Sequence, residues 1–336
     1  MRSPFLWRLK DACDLVGAKL EVIPGADTSG RITLRSGRVR YFHRLHWDLN
    51  TLGAAAIALD KDATARVLRR LGYTVPTGGA FSSDGRPHAA REIGRAYAYA
   101  ERLGWPVILK PNDSSSDQQV TVAYTRTQFY AAAREVFAAS KKLLVQRIAK
   151  GSDCSIVVLD GEVLMASEKT RPSVIGDGHS SIRRLIATSQ RRSRTAGHPT
   201  ELRVDDVRVR RHLAHTRRRL ATVPAAGERV ELLPCGNLGV GGDVRVVTEV
   251  LHPKLRMLAI RVVADMGLRL ASLDLVLSRP SDAPPKRCTV LEVNSAPGLD
   301  THEREPGWSR RRVERVRRIL LALDRDLQFR RGRTSR

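Results

Sequence analysis

Leu273-Asp274-Leu275-Val276-Leu277, joined through a proline- and base-rich stretch to Thr289-Val290-Leu291-Glu292-Val293-Asn294-Ser295-Ala296-Pro297-Gly298, is the segment from which the fold of this chain is read. Each half is a run of β-branched and aliphatic residues interrupted by single polar ones. That is the pattern of a strand, and the stretch between reads as a hairpin connection. Side chains two apart along a strand point the same way, so Glu292 and Asn294 are neighbours by construction, and pairing of the strands brings Asp274 to the same face. Two carboxylates and an amide oxygen converging on an apolar sheet form a hard-oxygen set that suits magnesium, above all magnesium already carried by a triphosphate. The same positions also fit the solvent-facing side of an amphipathic hairpin, and spacing does not choose between the two readings.

Around this hairpin lies a chain of 336 residues, 42% hydrophobic, enough for a buried core and for two or three subdomains. No apolar run approaches the length of a membrane span, and Met1 to Lys19 carries charges where a signal peptide needs an apolar centre, so a soluble, cytoplasmic protein is expected. Cys13, Cys154, Cys235 and Cys288 lie far apart, without the paired spacing of a zinc site or a disulfide framework, and read as reduced structural thiols. The net charge of +24 brings nucleic acid into consideration as a partner. Against that, the excess is nearly all arginine spread along the chain, with little aromatic interleaving and no helix-turn-helix, zinc-finger or RNA-binding signature. An anionic substrate or partner is the milder inference.

The first segment reads as an amphipathic piece (Leu6 to Leu20), a strand Lys19 to Ile23, and a hairpin of Arg31 to Leu34 with Val39 to Phe42 across Ser36-Gly37. No motif in it reads as chemistry. Ala54 to Leu71 reads as one helix closed by Gly72. From Pro76 a loop leads to a helix (Ala89 to Leu103), a strand (Trp105 to Lys110), a strand (Val120 to Tyr124), a helix (Thr127 to Ala139) and a strand (Leu143 to Arg147). Lys110 leaves a buried strand beside a polar loop, where a lysine meets either a phosphate or solvent. Ser155 to Leu159 and Glu162 to Ala166 form a hairpin across Asp160-Gly161, a strong turn signal. Ile182 to Arg194 and Val204 to Leu220 read as arginine-rich helices whose charge fits a solvated face. Lys254 to Met266 reads as a core helix, and Ser309 to Leu323 as an amphipathic helix with basic flanks.

Taken in order, Asp60-Lys61-Asp62-Ala63-Thr64, the strand Pro106 to Pro111, the strand Leu143 to Arg147, Gly176-Asp177-Gly178, Asn237 to Gly242 with His252-Pro253, Asp274, and Glu292 to Gly298 resemble the motif series of the ATP-grasp ligases. More narrowly, the series is similar to the ATP-grasp portion of cyanophycin synthetase and its stand-alone relatives, over about residues 45 to 306. The resemblance implies an α+β, ATP-grasp fold in which two α+β subdomains sandwich ATP. In this reading 1–57 is an N-terminal segment and 58–150 the small lid subdomain. The core subdomain is 151–308, with an arginine-rich helical insertion at about 180–225, and 309–336 is a basic C-terminal helix and tail. The implied activity is an ATP-dependent carboxylate–amine ligation. A carboxylate is phosphorylated to an acyl phosphate and an amine displaces the phosphate, leaving an amide or peptide bond, ADP and phosphate. The implied substrates are small-molecule or peptide carboxylates and amines, and a homodimer is an arrangement the resemblance allows.

Residue by residue, the resemblance implies Asp274, Glu292 and Asn294 as ligands of magnesium, or of manganese in its place, and Lys61 and Lys110 at phosphate oxygens. Ser114, Ser115 and Ser116 of the lid loop would also face the nucleotide. Val145, Gln146, Arg147 and Ile148 would lie along the adenine with backbone groups reading the purine edge, with Asp153 close by. Lys169 aligns with a basic residue that relatives place near the phosphates, and Arg171 is a candidate for an anionic substrate group. Arg245 stands in a region where relatives commonly carry an aspartate and completes the catalytic candidates. The departures are specific. Relatives close the phosphates under a glycine-rich loop, whereas Asn112 to Gln119 has no glycine and two acids, which would repel a triphosphate. Gln146 replaces an acid and Ser155 an arginine. Two rival readings follow: a degenerate ATP-grasp protein that binds nucleotide or a partner without ligating, and a basic nucleic-acid-binding protein. His252, before Pro253, reads as structural, and His302 as a site candidate on the acceptor side.

Overall fold

Period-two alternation of apolar residues is carried into four sheets in the computed structural model, which describes residues 4–26, 28–83, 86–113, 120–149, 151–195, 202–234, 242, 244–277, 288–299 and 308–325. Helix α1 (Pro4–Val16) leads into an antiparallel meander of β1 (Lys19–Val22), β2 (Ser29–Thr33), β3 (Val39–His43) and β4 (His46–Trp47). Helices α2 (Leu52–Leu59) and α3 (Lys61–Arg70) follow where the sequence suggested one continuous helix. The break is made by Asp60, whose backbone is extended and whose carboxylate accepts from the Ala63 amide at 2.8 Å, the behaviour of an N-cap residue. Its other oxygen meets Lys142 Nζ at 3.1 Å, so the kink is held from outside as well.

A small antiparallel sheet has the order β5-β8-β6-β7, from β5 (Gly78–Ser82), β6 (Val107–Pro111), β7 (Thr121–Ala123) and β8 (Lys142–Arg147). Helices α4 (Arg86–Leu103) and α5 (Arg126–Ala139) bury Ile93, Ala96, Ala100, Phe129 and Ala133 against Val107, Leu109 and Val145. Strand β5 lies in a stretch read as loop. Gly78 passes so close to β8 that an added Cβ would sit 2.6 Å from the Val145 carbonyl oxygen, so the position needs glycine despite glycine's poor strand propensity.

The large sheet runs β13-β10-β9-β14-β15 and is antiparallel throughout. Its strands are β9 (Ser152–Leu159), β10 (Glu162–Lys169), β13 (Val244–Val246), β14 (Leu270–Leu277) and β15 (Thr289–Asn294). Asp160 (φ 48°) and Gly161 (φ 80°) form the two-residue turn between β9 and β10, both in the left-handed region that such a hairpin requires. One face, with Ile156, Ala166, Leu273 and Leu275, is covered by α2, α3 and α8 (Pro253–Asp265). The opposite face is divided. Val157, Leu159, Met165 and Leu270 pack under α1 and α9 (Trp308–Asp324), while the other end of the same face carries polar residues and stays open.

Between β10 and β13 the chain builds an insertion from β11 (Ser173–Ile175), α6 (Ile182–Thr195), α7 (Val207–His215) and β12 (Arg229–Glu231), with its own core of Val174, Ile182, Ile186, Val209, Leu213 and Val230. Helix α7 is shorter than the stretch read as helical, starting after the Asp206 cap and ending before Arg217 turns left-handed at φ 59°. Among the described residues no helix is long and apolar enough to cross a membrane.

Candidate active site

The opening hairpin pairs with Asp274 opposite Glu292 and Ser272 opposite Asn294, which brings the three candidate ligands to one face as expected. On its other side β14 places Asp274 opposite Ser155, which in turn faces Ser167 of β10. Beyond Glu292 the ladder slips by one residue, because Leu275 pairs with Val290 and leaves Leu291 as a bulge. Asp274, Glu292 and Asn294 therefore share the open polar end of the divided face.

Around them the polar groups are closely bonded. Ser155 Oγ donates to Asp274 Oδ1 at 2.5 Å and Lys169 Nζ to Asp274 Oδ2 at 3.3 Å. Lys61 Nζ stands 3.7 Å from Glu292 Oε2, and Asn294 Nδ2 donates to Glu292 Oε1 at 3.2 Å. Like charges facing each other across a ladder are unfavourable in water and worse when half-buried. Burial lifts the Asp274 carboxyl above its usual range, Glu292 adds to the rise, and Lys169 opposes it. Burial acts on Glu292 in the same sense, but Lys61 and Lys110 outweigh it and hold that carboxyl below its ordinary value. Two acids kept this close, one of them resisting ionisation, repel each other when both are charged, a repulsion that a divalent cation between them would relieve.

The donor set fits magnesium or manganese. It is all oxygen, and an amide whose NH2 is spent on a carboxylate offers its carbonyl oxygen outward. Among the described residues no three His, Cys, Asp or Glu side chains converge, so a cation held here would be completed by water and phosphate oxygens, the arrangement magnesium favours.

Two cavities meet at these residues. One, of about 130 Å3, lies between the small and large sheets and is walled by aliphatic side chains, among them Ile108, Val122, Leu233, Leu275 and Leu291. The other, of about 470 Å3, lies over the open end of the large sheet on a floor of Ser155, Ser167 and Ser272. Lys110, Lys169, Asp274 and Glu292 line both.

The other sequence candidates divide by position. Gln146, Arg147 and Asp153 line the aliphatic cavity. Val145 does not: its side chain is fully buried in the core of the small sheet. Strand β8 is flanked by β5 and β6 as far as Arg147, so its backbone is already paired there, and the Arg147 guanidinium donates to the Leu103 carbonyl at 2.6 Å. Past the strand end it is Ala149, next to Ile148, that reaches the cavity. Arg171 pairs with Glu231 at 2.9 Å and donates to the Gly151 carbonyl, tying the insertion to the core sheet. Arg245 stands opposite Glu168 in the row with Cys154 and Leu275, on the face turned away from Asp274, and pairs with Glu168 at 2.6 Å. Alternation along β10 puts Lys169 and its neighbour Glu168 on opposite faces, so Arg245 and Lys169 are not brought together.

Ser114, Ser115, Ser116, Asn237 to Gly241 and His302 lie outside the described residues. The start of the lid loop is described, and Asp113 there accepts from Ser140 Oγ at 2.8 Å, turned to the end of α5. Asn112 is buried, and its side-chain oxygen accepts from the Asp62 amide at 2.9 Å, fixing the first turn of α3 and with it Lys61. His252 caps α8 by accepting from the Lys254 amide, as its place before Pro253 suggested.

Sequence reasoning missed as site residues Ser155, Ser167 and Ser272, whose place depends on a three-strand register, and Tyr124 and Arg208, which line the aliphatic cavity. Tyr124 hydroxyl lies 2.8 Å from His212 Nδ1 and its ring stacks on His215 at 4.3 Å, so the insertion rests directly on the small sheet.

No protein-family model matches the chain. It is 32% identical over 260 residues to cyanophycin synthetase of Trichormus variabilis, a match covering 73% of this chain and 27% of that protein. It is 27% identical over 254 residues to a glutathione biosynthesis bifunctional protein of Streptococcus mutans, covering 72% of this chain and 32% of that one. The fold superposes on the crystal structure of a bifunctional glutathione synthetase from Pasteurella multocida with a TM-score of 0.57 at 21% identity, over 94% of this chain and 44% of the other. The chain has the ATP-grasp fold, and its sequence is similar to that of cyanophycin synthetase. It spans 27% and 32% of the lengths of the two curated relatives just named.

Proposed function

We propose that this ATP-grasp chain is an ATP- and magnesium-dependent carboxylate–amine ligase. The observation that carries the reading is the meeting of an aliphatic cavity with a polar one at Lys110, Lys169, Asp274 and Glu292. A purine suits the first and a small acid or peptide terminus the second, which leaves the triphosphate chain to run toward the lysines and carboxylates between them. The lid would be 58–150 and the core 151–308, closing from opposite sides.

Each residue has a part that follows from its surroundings. Asp274, Glu292 and Asn294 would hold the cation, which when bound spreads the charge of the transferred phosphoryl group. Ser155 fixes the Asp274 carboxylate in one orientation through its short hydrogen bond. Lys61, Lys110 and Lys169 would lie on the side where phosphate charge develops. The substrate carboxylate, lying on the serine floor, takes the γ-phosphoryl group to give an acyl phosphate and ADP. An amine then displaces phosphate, forming the amide and releasing a proton. An intracellular setting, small-molecule or peptide substrates and a homodimeric assembly are compatible with this reading.

A mass-spectrometric screen of acid and amine pairs with ATP and magnesium tests it. Product and ADP are expected for at least one pair, with Asp274→Ala or Lys169→Met lowering turnover by about 100- to 1,000-fold. The loop from Asn112 to Gln119, which lacks glycine, supports a second reading, a nucleotide-binding protein without ligase activity. ATP binding with no product from any pair would favour it.

A further inference from the structure

The polar cavity has a wall that neither ATP-grasp subdomain supplies. The β3–β4 hairpin reaches over it, and Arg44, Leu45 and His46 line it. His43 pairs with His46, so the connection is the two-residue loop Arg44-Leu45, with the Arg44 amide donating to the Thr28 carbonyl at 2.7 Å. Arg44 adopts φ 55°, at the turn position where a tight hairpin ordinarily calls for glycine. A side chain kept in a conformation that its own Cβ disfavours needs a reason outside the backbone.

Charge supplies one. Lys61 and Lys169 at this cavity each face a carboxylate, Glu292 and Asp274. Arg44 is exposed, and among the described residues no carboxylate pairs with it. Besides the acid pair, the lining of the cavity includes Ser155, Ser167 and Ser272 and the apolar side chains of Leu45 and Leu59, and no further carboxylate among the described residues. The geometry points to Arg44 as the residue that seats a second anionic group of the acid substrate. The substrate class is then a dicarboxylic acid, one carboxylate placed at Lys169 for phosphorylation and the other held by the guanidinium fork. This inference rests on the ligase reading of the same site.

The test uses the full chain saturated with magnesium and a non-hydrolysable ATP analogue, titrated calorimetrically with succinate and glutarate and with their monocarboxylate counterparts butyrate and pentanoate. Each diacid is expected to bind about 10- to 100-fold more tightly than its monoacid, as a charged hydrogen-bonded pair provides. Arg44→Gly should abolish that preference while leaving the melting temperature unchanged or higher, because glycine suits the left-handed turn. Arg44→Lys should keep part of the preference, a point charge replacing a fork. Nucleotide affinity should be the same in all three proteins. A wild-type chain that does not discriminate between diacid and monoacid, or an Arg44→Gly chain that still does, overturns the assignment. Intact Arg44-dependent preference without ATP-dependent product in the acid and amine screen would instead overturn the ligase reading alone.

Discussion

Asn50 offers the sharpest test of how the N-terminal segment is joined to the site. Its Nδ2 group donates to the carbonyls of Leu270 at 2.7 Å and Ser295 at 3.0 Å, and its Oδ1 accepts from the amides of Arg269 at 2.9 Å and Leu270 at 3.1 Å. The amide thus uses both protons and both lone pairs. It ties the end of the N-terminal segment to the first residue of β14 and to the residue after Asn294. Asn50→Ala removes four hydrogen bonds, each contributing about 0.5–1.5 kcal/mol, and leaves four backbone groups to find water. The site is half-buried, so some of those groups regain solvent, and a net loss of about 2–4 kcal/mol is expected. In a chain of this size that lowers the melting temperature by roughly 3–6 °C. Asn50→Asp keeps the two acceptor contacts but turns an oxygen toward two carbonyls, so it should cost at least as much. Thermal unfolding followed by circular dichroism measures both. An Asn50→Ala chain melting within about 1 °C of wild type, or an Asn50→Asp chain as stable as wild type, would refute the reasoning.

Two further expectations concern parts that hold the cleft in shape. Burial depresses the His212 imidazole below its ordinary value of 6.5, so the unfolded chain binds a proton more readily than the folded one. The contribution to stability is therefore intact above pH 6.5 and is lost as pH falls through that value toward the folded one. Hydrogen exchange in α7 should quicken on going from about pH 7 to about pH 5 after correction for intrinsic rates, and His212→Gln should flatten that response. At Gly151, φ is 144° and an added Cβ would stand 2.5 Å from the Leu277 carbonyl oxygen, so Gly151→Ala should lower stability by more than about 2 kcal/mol, read from the urea midpoint.

What the sequence disclosed follows from the range over which its signals act. The hairpin carrying Asp274 and Glu292 was legible because alternation within a strand fixes which side chains share a face, whatever lies next to it. The ordered motif series then disclosed the fold and the two-subdomain arrangement. Ser155 and Arg245 were placed poorly for the opposite reason. Which residue of β9 or β13 stands beside which residue of β14 or β10 is decided by register across the sheet, and no local pattern records it. Strand β5 was hidden because its Gly-Gly start answers to the closeness of β8 and not to its own propensity. The break at Asp60 was readable in principle, since an aspartate three residues before the Ala63 amide it caps is a helix-start signal. The alanine-rich run on either side outweighed it. Arg44 gave no sign, because an arginine in a left-handed turn looks like any other residue until its φ is known.

The unpaired Leu291 changes what a loss of sequence would do at this site. The pairs on either side, Asp274 with Glu292 and Leu275 with Val290, are consecutive on β14 and separated on β15 by this single residue. Removing its codon would leave an uninterrupted ladder with every other partner unchanged, and the sheet as a sheet would gain. What would go is one wall of the aliphatic cavity, on the strand that also carries Glu292. A shortened gene could therefore yield a chain that folds at least as well and encloses this cavity less completely.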